Sequence, residues 1–198
     1  MSYADDGGLT GMRKLLYCML ISLDGYVESL NGDISWSGPD DEVHAFINDL
    51  SRDIGGALYG RGLYENMSAY WPTADERPDA PQIEIDFARI WRNTPKYVFS
   101  KTLDKVDWNS TLVTGDLETE VNRLKQEGDG YLEVGGATLA HSMIRLGLVD
   151  EFRIFVHPLV LGRGKPFFPE LDTSFRTTLL ETRAFDSGMV YLRYGVQH

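Results

Sequence analysis

The chain has 198 residues and a mass of 22.3 kDa, enough for one domain with a full hydrophobic core or at most two small ones. Its formal charge of -11 excludes the clustered basic surface of a nucleic-acid groove, though two or three local cations still suffice for a small anionic ligand. No apolar run approaches a membrane span, and with Cys18 as the only cysteine and no metal-type spacing among His44, His141, His157 and His198, internal disulfides and metal clusters are not expected and a reducing cytoplasm is the simplest setting.

Residues 1–11 are polar and glycine-rich and read as a flexible tail, so the single domain is expected over 12–198. "KLLYCMLISL" predicts a buried first strand, and "DGYVESLNGDISWSGPD" a long loop. "DDEVHAFINDLSRD" is a helix with acids in its first turn, where the helix dipole favours them. "GGALYG" is a short strand running directly into the helix "RGLYENM". A proline-rich loop follows, then the helix "QIEIDFARIWRN" and the strands "PKYVFS" and "STLVTG". "DLETEVNRLKQEG" is a helix with Asp116 as N-cap and Gly128 at its end. "YLEV" is a strand that stops at Gly135-Gly136, where a helix to Gly147 begins with no spacer. "DEFRIFVHPLVLG" is a long strand, and "RTTLLETRAF" and "MVYLRYGV" flank an Asp186-Ser187-Gly188 hairpin turn. Strands alternating with helices define an α/β domain closed by an antiparallel hairpin.

In such sheets ligands bind beyond the carboxyl ends of the strands, and three strand ends carry suitable chemistry. Gly60-Arg61 offers free helix-start N–H groups and a cation, or is simply a turn. Ser100-Lys101 places a hydroxyl and a cation after "YVF", or is a solvated loop. Gly135-Gly136 is followed by Ala137, Thr138 and Leu139, whose N–H groups open a helix. The glycines alternatively serve only close strand–helix packing.

The segments "SLDGYVESLNGDISW", "LYGRGLYENM", "PKYVFSKTL" and "EVGGATLAHSMIRLGLVDEFRIFVHPLVLGRGKPFF" occur in this order. Together they resemble the dihydrofolate-reductase-like superfamily, and more closely the stand-alone relatives of the reductase domain of riboflavin-biosynthesis deaminase–reductases. The resemblance implies a three-layer α/β/α fold with a mixed, mostly parallel sheet of about eight strands, and NADPH across the strand ends. It assigns Gly60 and Arg61 to cofactor phosphates, Ser100 and Lys101 to the adenosine 2′-phosphate, and Gly135, Gly136, Ala137, Thr138 and Leu139 to pyrophosphate and nicotinamide. It also implies a cis peptide between the two glycines. Leu63 stands where a hydroxyl residue is usual, and Tyr26 where riboflavin reductases commonly carry Lys.

On the substrate side, the loop from Asp24 to Pro39 resembles the segment that closes over nicotinamide. Trp36 matches a substrate-side tryptophan and Asp41 a folate-contacting acid; a core aromatic and a helix-start acid are the alternatives. The expected activity is NADPH-dependent hydride transfer to a C=O or C=N carbon of a pyrimidine- or pteridine-type substrate, of the riboflavin-pathway kind. Dihydrofolate reduction, or nucleotide binding without turnover, are the other readings. A homodimer is expected, as in related reductase domains.

Overall fold

The structure, a computed structural model, describes residues 11–197; the stretch 1–10, most of the expected tail, lies outside them. The central strand β1 (Leu15–Ile21) is an apolar run with Leu15, Leu16 and Tyr17 fully buried, as a parallel strand covered on both faces requires. β2 (Tyr26–Ser29) follows a tight turn, and a short 3₁₀ turn over Ser35–Ser37 leads to α1 (Asp41–Ser51). Then come β3 (Ile54–Gly60), α2 (Arg61–Tyr70), α3 (Gln82–Asn93), β4 (Lys96–Phe99), β5 (Ser110–Val113) and α4 (Leu117–Lys125). The chain continues through β6 (Tyr131–Gly135), α5 (Ala137–Arg145), β7 (Glu151–Val156), β8 (Gly164–Pro166), β9 (Thr177–Ala184) and β10 (Val190–Val196).

Eight strands form one sheet in the order β5-β4-β3-β6-β1-β7-β10-β9. β5 through β7 in that order are parallel, and β10 pairs antiparallel with both β7 and β9. The fold is thus the expected mixed α/β sheet with an antiparallel C-terminal hairpin, whose turn uses Gly188 at φ 83°. Alternation along the strands sends side chains to two cores. Leu15, Tyr17, Leu132, Val134, Phe152 and Ile154 meet α4 and α5. On the opposite face Cys18 and Leu20 meet Val43 and Phe46 of α1, while Ala57 and Tyr59 meet Tyr64 of α2 and Trp91 of α3.

Two features depart from the sequence-based expectation. The "DEFRIFVHPLVLG" strand ends at Val156, because Pro158 has no N–H to continue the ladder. The expected long loop contains β2, which pairs antiparallel with β8 in a separate two-stranded ribbon.

Candidate active site

Parallel register brings the three chosen strand ends together. Tyr59 lies opposite Gly135, and Gly60 opposite Phe99, so the ends of β3, β6 and β4 are neighbours. α2 and α5 therefore start side by side. Across them runs a cleft of about 560 Å³ whose walls include Gly60, Arg61, Leu63, the Gly135–Leu139 segment, and Glu28 and Lys165 from the ribbon.

The two helix starts share an unusual property. α1 and α4 are capped by the Asp40 and Asp116 carboxylates, which accept from Val43 N at 2.9 Å and Thr119 N at 3.0 Å. α2 and α5 begin on Gly60 and Gly136, with no side-chain cap. (α3, which starts after Pro81, lacks one too.) First-turn N–H groups have no intrahelical acceptor, so two sets of free donors point into one cleft, with the positive ends of two helix dipoles behind them. Arg61 adds a cation, its Nη1 donating to Thr102 Oγ1 at 3.1 Å. This donor set fits a dinucleotide diphosphate.

The Gly135–Gly136 peptide is trans, since no cis bond occurs among the described residues; the implied cis geometry is absent. The glycines have separate local causes. A Cβ on Gly135 would stand 2.5 Å from Leu63 Cδ2. Gly136 adopts φ 85° and ψ 122°, a conformation other residues rarely adopt. Leu63 therefore packs directly on the glycine pair.

The remaining predicted site residues lie apart from the cleft wall. The Ser100 hydroxyl accepts from Thr102 N and Leu103 N, both at 3.2 Å, and so builds the turn after β4; Lys101 is exposed beside it. Trp36 packs edge-on against His157, ring centroids 5.5 Å apart, and its Nε1–H donates to Asp33 O. Asp41 is an exposed first-turn residue of α1, next to the capping Asp40. Asp24 has a structural partner set: its carboxylate accepts from the Ser22 hydroxyl at 2.6 Å and from Leu161 N and Gly162 N at 3.0 and 2.7 Å. These bonds, the Ser22 one foremost, hold its pKa below the usual carboxylate range.

Sequence reasoning missed Glu28 and Lys165, joined at 2.7 Å across the ribbon. It also missed Glu133, whose neighbours in register are Leu16 and Ala57. Burial pushes its carboxyl up to about 7, opposed by the Arg153 guanidinium. The acid in "YLEV" is visible in the sequence, but its partial burial depends on strands that join only in the sheet.

An eight-stranded sheet in this order, parallel from β5 to β7 and closed by an antiparallel hairpin, places the protein in the dihydrofolate-reductase-like fold class. The likeness extends to dihydrofolate reductase from Enterococcus faecalis, solved with NADP(H) and RAB-propyl: TM-score 0.63 and 16% identity, over 96% of this chain and 100% of that one. A Shewanella sp. PV-4 protein with a provisional riboflavin-biosynthesis name aligns at TM-score 0.74 and 22% identity, covering 93% and 99% of the two chains. More particularly, the chain belongs to the RibD C-terminal domain family, whose sequence model matches residues 13–191. The uncharacterized protein YyaP of Bacillus subtilis (strain 168) is 33% identical over 183 residues, 92% of this chain and 94% of its own.

Proposed function

We propose that the protein is an NADPH-dependent reductase of the riboflavin-pathway type, acting on a C=O or C=N carbon of a pyrimidine- or pteridine-type substrate. The observation that carries this reading is the convergence of two uncapped helix starts and Arg61 on one cleft, in a chain of this reductase-type family. When bound, the cofactor supplies a hydride; the protein's part is to align donor and acceptor and keep water out.

In this reading the N–H groups of the α2 and α5 first turns, with Gly60, Gly136, Ala137, Thr138 and Leu139, hold phosphate oxygens and the adjoining nicotinamide half. Arg61, with Ser100 and Lys101 beyond it, takes the 2′-phosphate. Asp24 anchors the loop that carries the ribbon, and Trp36 and Asp41 belong to the substrate side. Glu28 is the one carboxylate among the lining residues and pairs with Lys165; the proton that completes reduction comes from this carboxyl or from water.

That paired state also supports the second reading, a nucleotide-binding protein without turnover. Titration with NADPH and NADH, read by quenching of tryptophan fluorescence, tests binding. Loss of the nicotinamide absorbance with 5-amino-6-(5-phosphoribosylamino)uracil or dihydrofolate then separates the riboflavin-type, folate-type and non-catalytic readings. Arg61→Ala should weaken NADPH by about tenfold or more, the value of a charged hydrogen bond, and leave NADH nearly unchanged. No binding or oxidation of either nucleotide refutes the reductase reading.

A homodimer belongs to the same proposal. β9 is exposed along all eight residues at the sheet edge, with Leu179 49% and Leu180 43% accessible. Phe168, Leu171 and Phe175 lie exposed shortly before it in the chain. A long exposed edge strand carrying two leucines, with exposed apolar side chains before it, is normally covered.

A further inference from the structure

The cations on the cleft wall come from opposite sides: Arg61 from α2 and Lys165 from β8. Lys165 is held in place from three directions. It lies in register with Glu28 across the ribbon. The next residue, Pro166, accepts from His141 Nε2–H of α5 at 3.0 Å, and Phe167 O receives the same donor at 3.1 Å. Phe167 is buried and stacks on Tyr17 with centroids 4.2 Å apart. The backbone of Lys165 is thereby fixed beside α5, whose Thr138 and Ser142 share the cleft wall with it.

The Lys165 ammonium therefore faces the same space as the uncapped donors of α5, and its partner there is the Glu28 carboxylate at 2.7 Å. Both side chains remain partly exposed, 40% and 29%, a setting in which an ion pair is weak and readily exchanged. The diphosphate of a dinucleotide carries two negative charges against the carboxylate's one and also reaches the free N–H groups, so it outcompetes Glu28 for the lysine. Such a cation matters more in a chain of formal charge -11, whose overall field opposes a polyanion.

We propose that Lys165 is a phosphate-binding residue of the cleft, held in register by Glu28 and transferred to the diphosphate of a bound dinucleotide. The inference rests on the nucleotide reading of the cleft and adds to it a contact that serves NADPH and NADH alike. The same chemistry would also suit a phosphate ester on the substrate, and the experiment separates the two sources.

Wild type, Lys165→Ala, Glu28→Gln and the double variant are titrated calorimetrically with NADPH and NADH, and with ribose 5-phosphate at saturating NADPH. Lys165→Ala should weaken both dinucleotides about tenfold or more and by the same factor, unlike the NADPH-selective Arg61→Ala. Glu28→Gln should tighten both several-fold. The double variant should bind more weakly than Glu28→Gln alone, which shows that the loss comes from the missing cation and not from an unpaired Glu28. Loss confined to ribose 5-phosphate assigns the lysine to a substrate phosphate. Unchanged affinity of Lys165→Ala for all three ligands, with wild type binding the dinucleotides, overturns this inference alone. Failure of wild type to bind either dinucleotide overturns the nucleotide reading with it.

Discussion

The glycine pair gives the sharpest test of the local physics, because its two members are required for different reasons. An alanine at 135 would bring its Cβ to 2.5 Å from Leu63 Cδ2 and 3.3 Å from Tyr59 Cε1. Gly135 has no positive φ, so the cost is steric, about 1–2 kcal/mol of overpacking. An alanine at 136 meets Leu63 only at 3.4 Å, an adjustable distance, but must hold φ 85° at roughly 1–3 kcal/mol of backbone strain. Urea denaturation of Gly135→Ala and Gly136→Ala, each with and without Leu63→Ala, separates the two causes. Removing the leucine should restore about 1 kcal/mol or more of the Gly135→Ala loss and little of the Gly136→Ala loss; the cost of Leu63→Ala itself cancels in the cycle. For a chain of this size each kcal/mol moves the midpoint about 2–4 °C, so thermal scans suffice as a check. Additive effects of Leu63→Ala and Gly135→Ala would refute the steric account.

Further outcomes concern charge, loop anchoring and assembly. Burial lifts Glu133 from 4.5 to about 7, so the folded state binds the proton more tightly. Its stabilising contribution is complete below pH 4.5 and is lost as pH rises through 7, by on the order of 3 kcal/mol. Glu133→Gln should flatten the stability profile between pH 5 and 8, and a profile parallel to wild type would contradict the assigned burial. Asp24→Ala removes the acceptor of Leu161 N and Gly162 N. Limited proteolysis should then cut faster near those residues, whereas an unchanged digest would mean that the anchor is dispensable. Leu180→Asp places a charge on the exposed β9 edge and should convert the proposed dimer to a 22.3 kDa particle in light scattering; wild type already at that mass would end the dimer proposal.

Much of the fold was legible because its signals are local. The apolar run of β1, the Asp116 cap and the Asp186–Gly188 turn each need only a few neighbouring residues. The three strand ends were legible as chemistry, and parallel pairing of β4, β3 and β6 made them neighbours. What escaped depends on contacts far apart in the chain. β2 is four residues long and meets β8 across more than a hundred residues, with no helical or hairpin pattern to announce it. Lys165 and Glu28 carry no local signal for that reason, and the acceptor role of Asp24 at Leu161 and Gly162 is equally remote.

The two glycines show how a motif suited to a ligand can have a purely local cause. Leu63 contact requires one and positive φ the other, so this packing would need both even in an empty protein. They are consequently poor evidence for a ligand taken alone. The uncapped start of α2 argues differently, because Gly60 already holds the extended conformation of an N-cap residue, an acid there would stabilise the helix by a few tenths of a kcal/mol over glycine, and acidic caps serve α1 and α4 in this same chain. A carboxylate at Gly60 would satisfy the free N–H groups of α2 from within and repel an incoming phosphate. Leaving them free forgoes that small stability and keeps the α2 donors open to a ligand that also reaches those of α5. Substituting Asp at position 60, where φ is -79° and ψ 166° as an N-cap residue prefers, should therefore stabilise α2 and weaken dinucleotide binding together. A variant that gained stability with unchanged affinity would show that the helix start does not face the nucleotide.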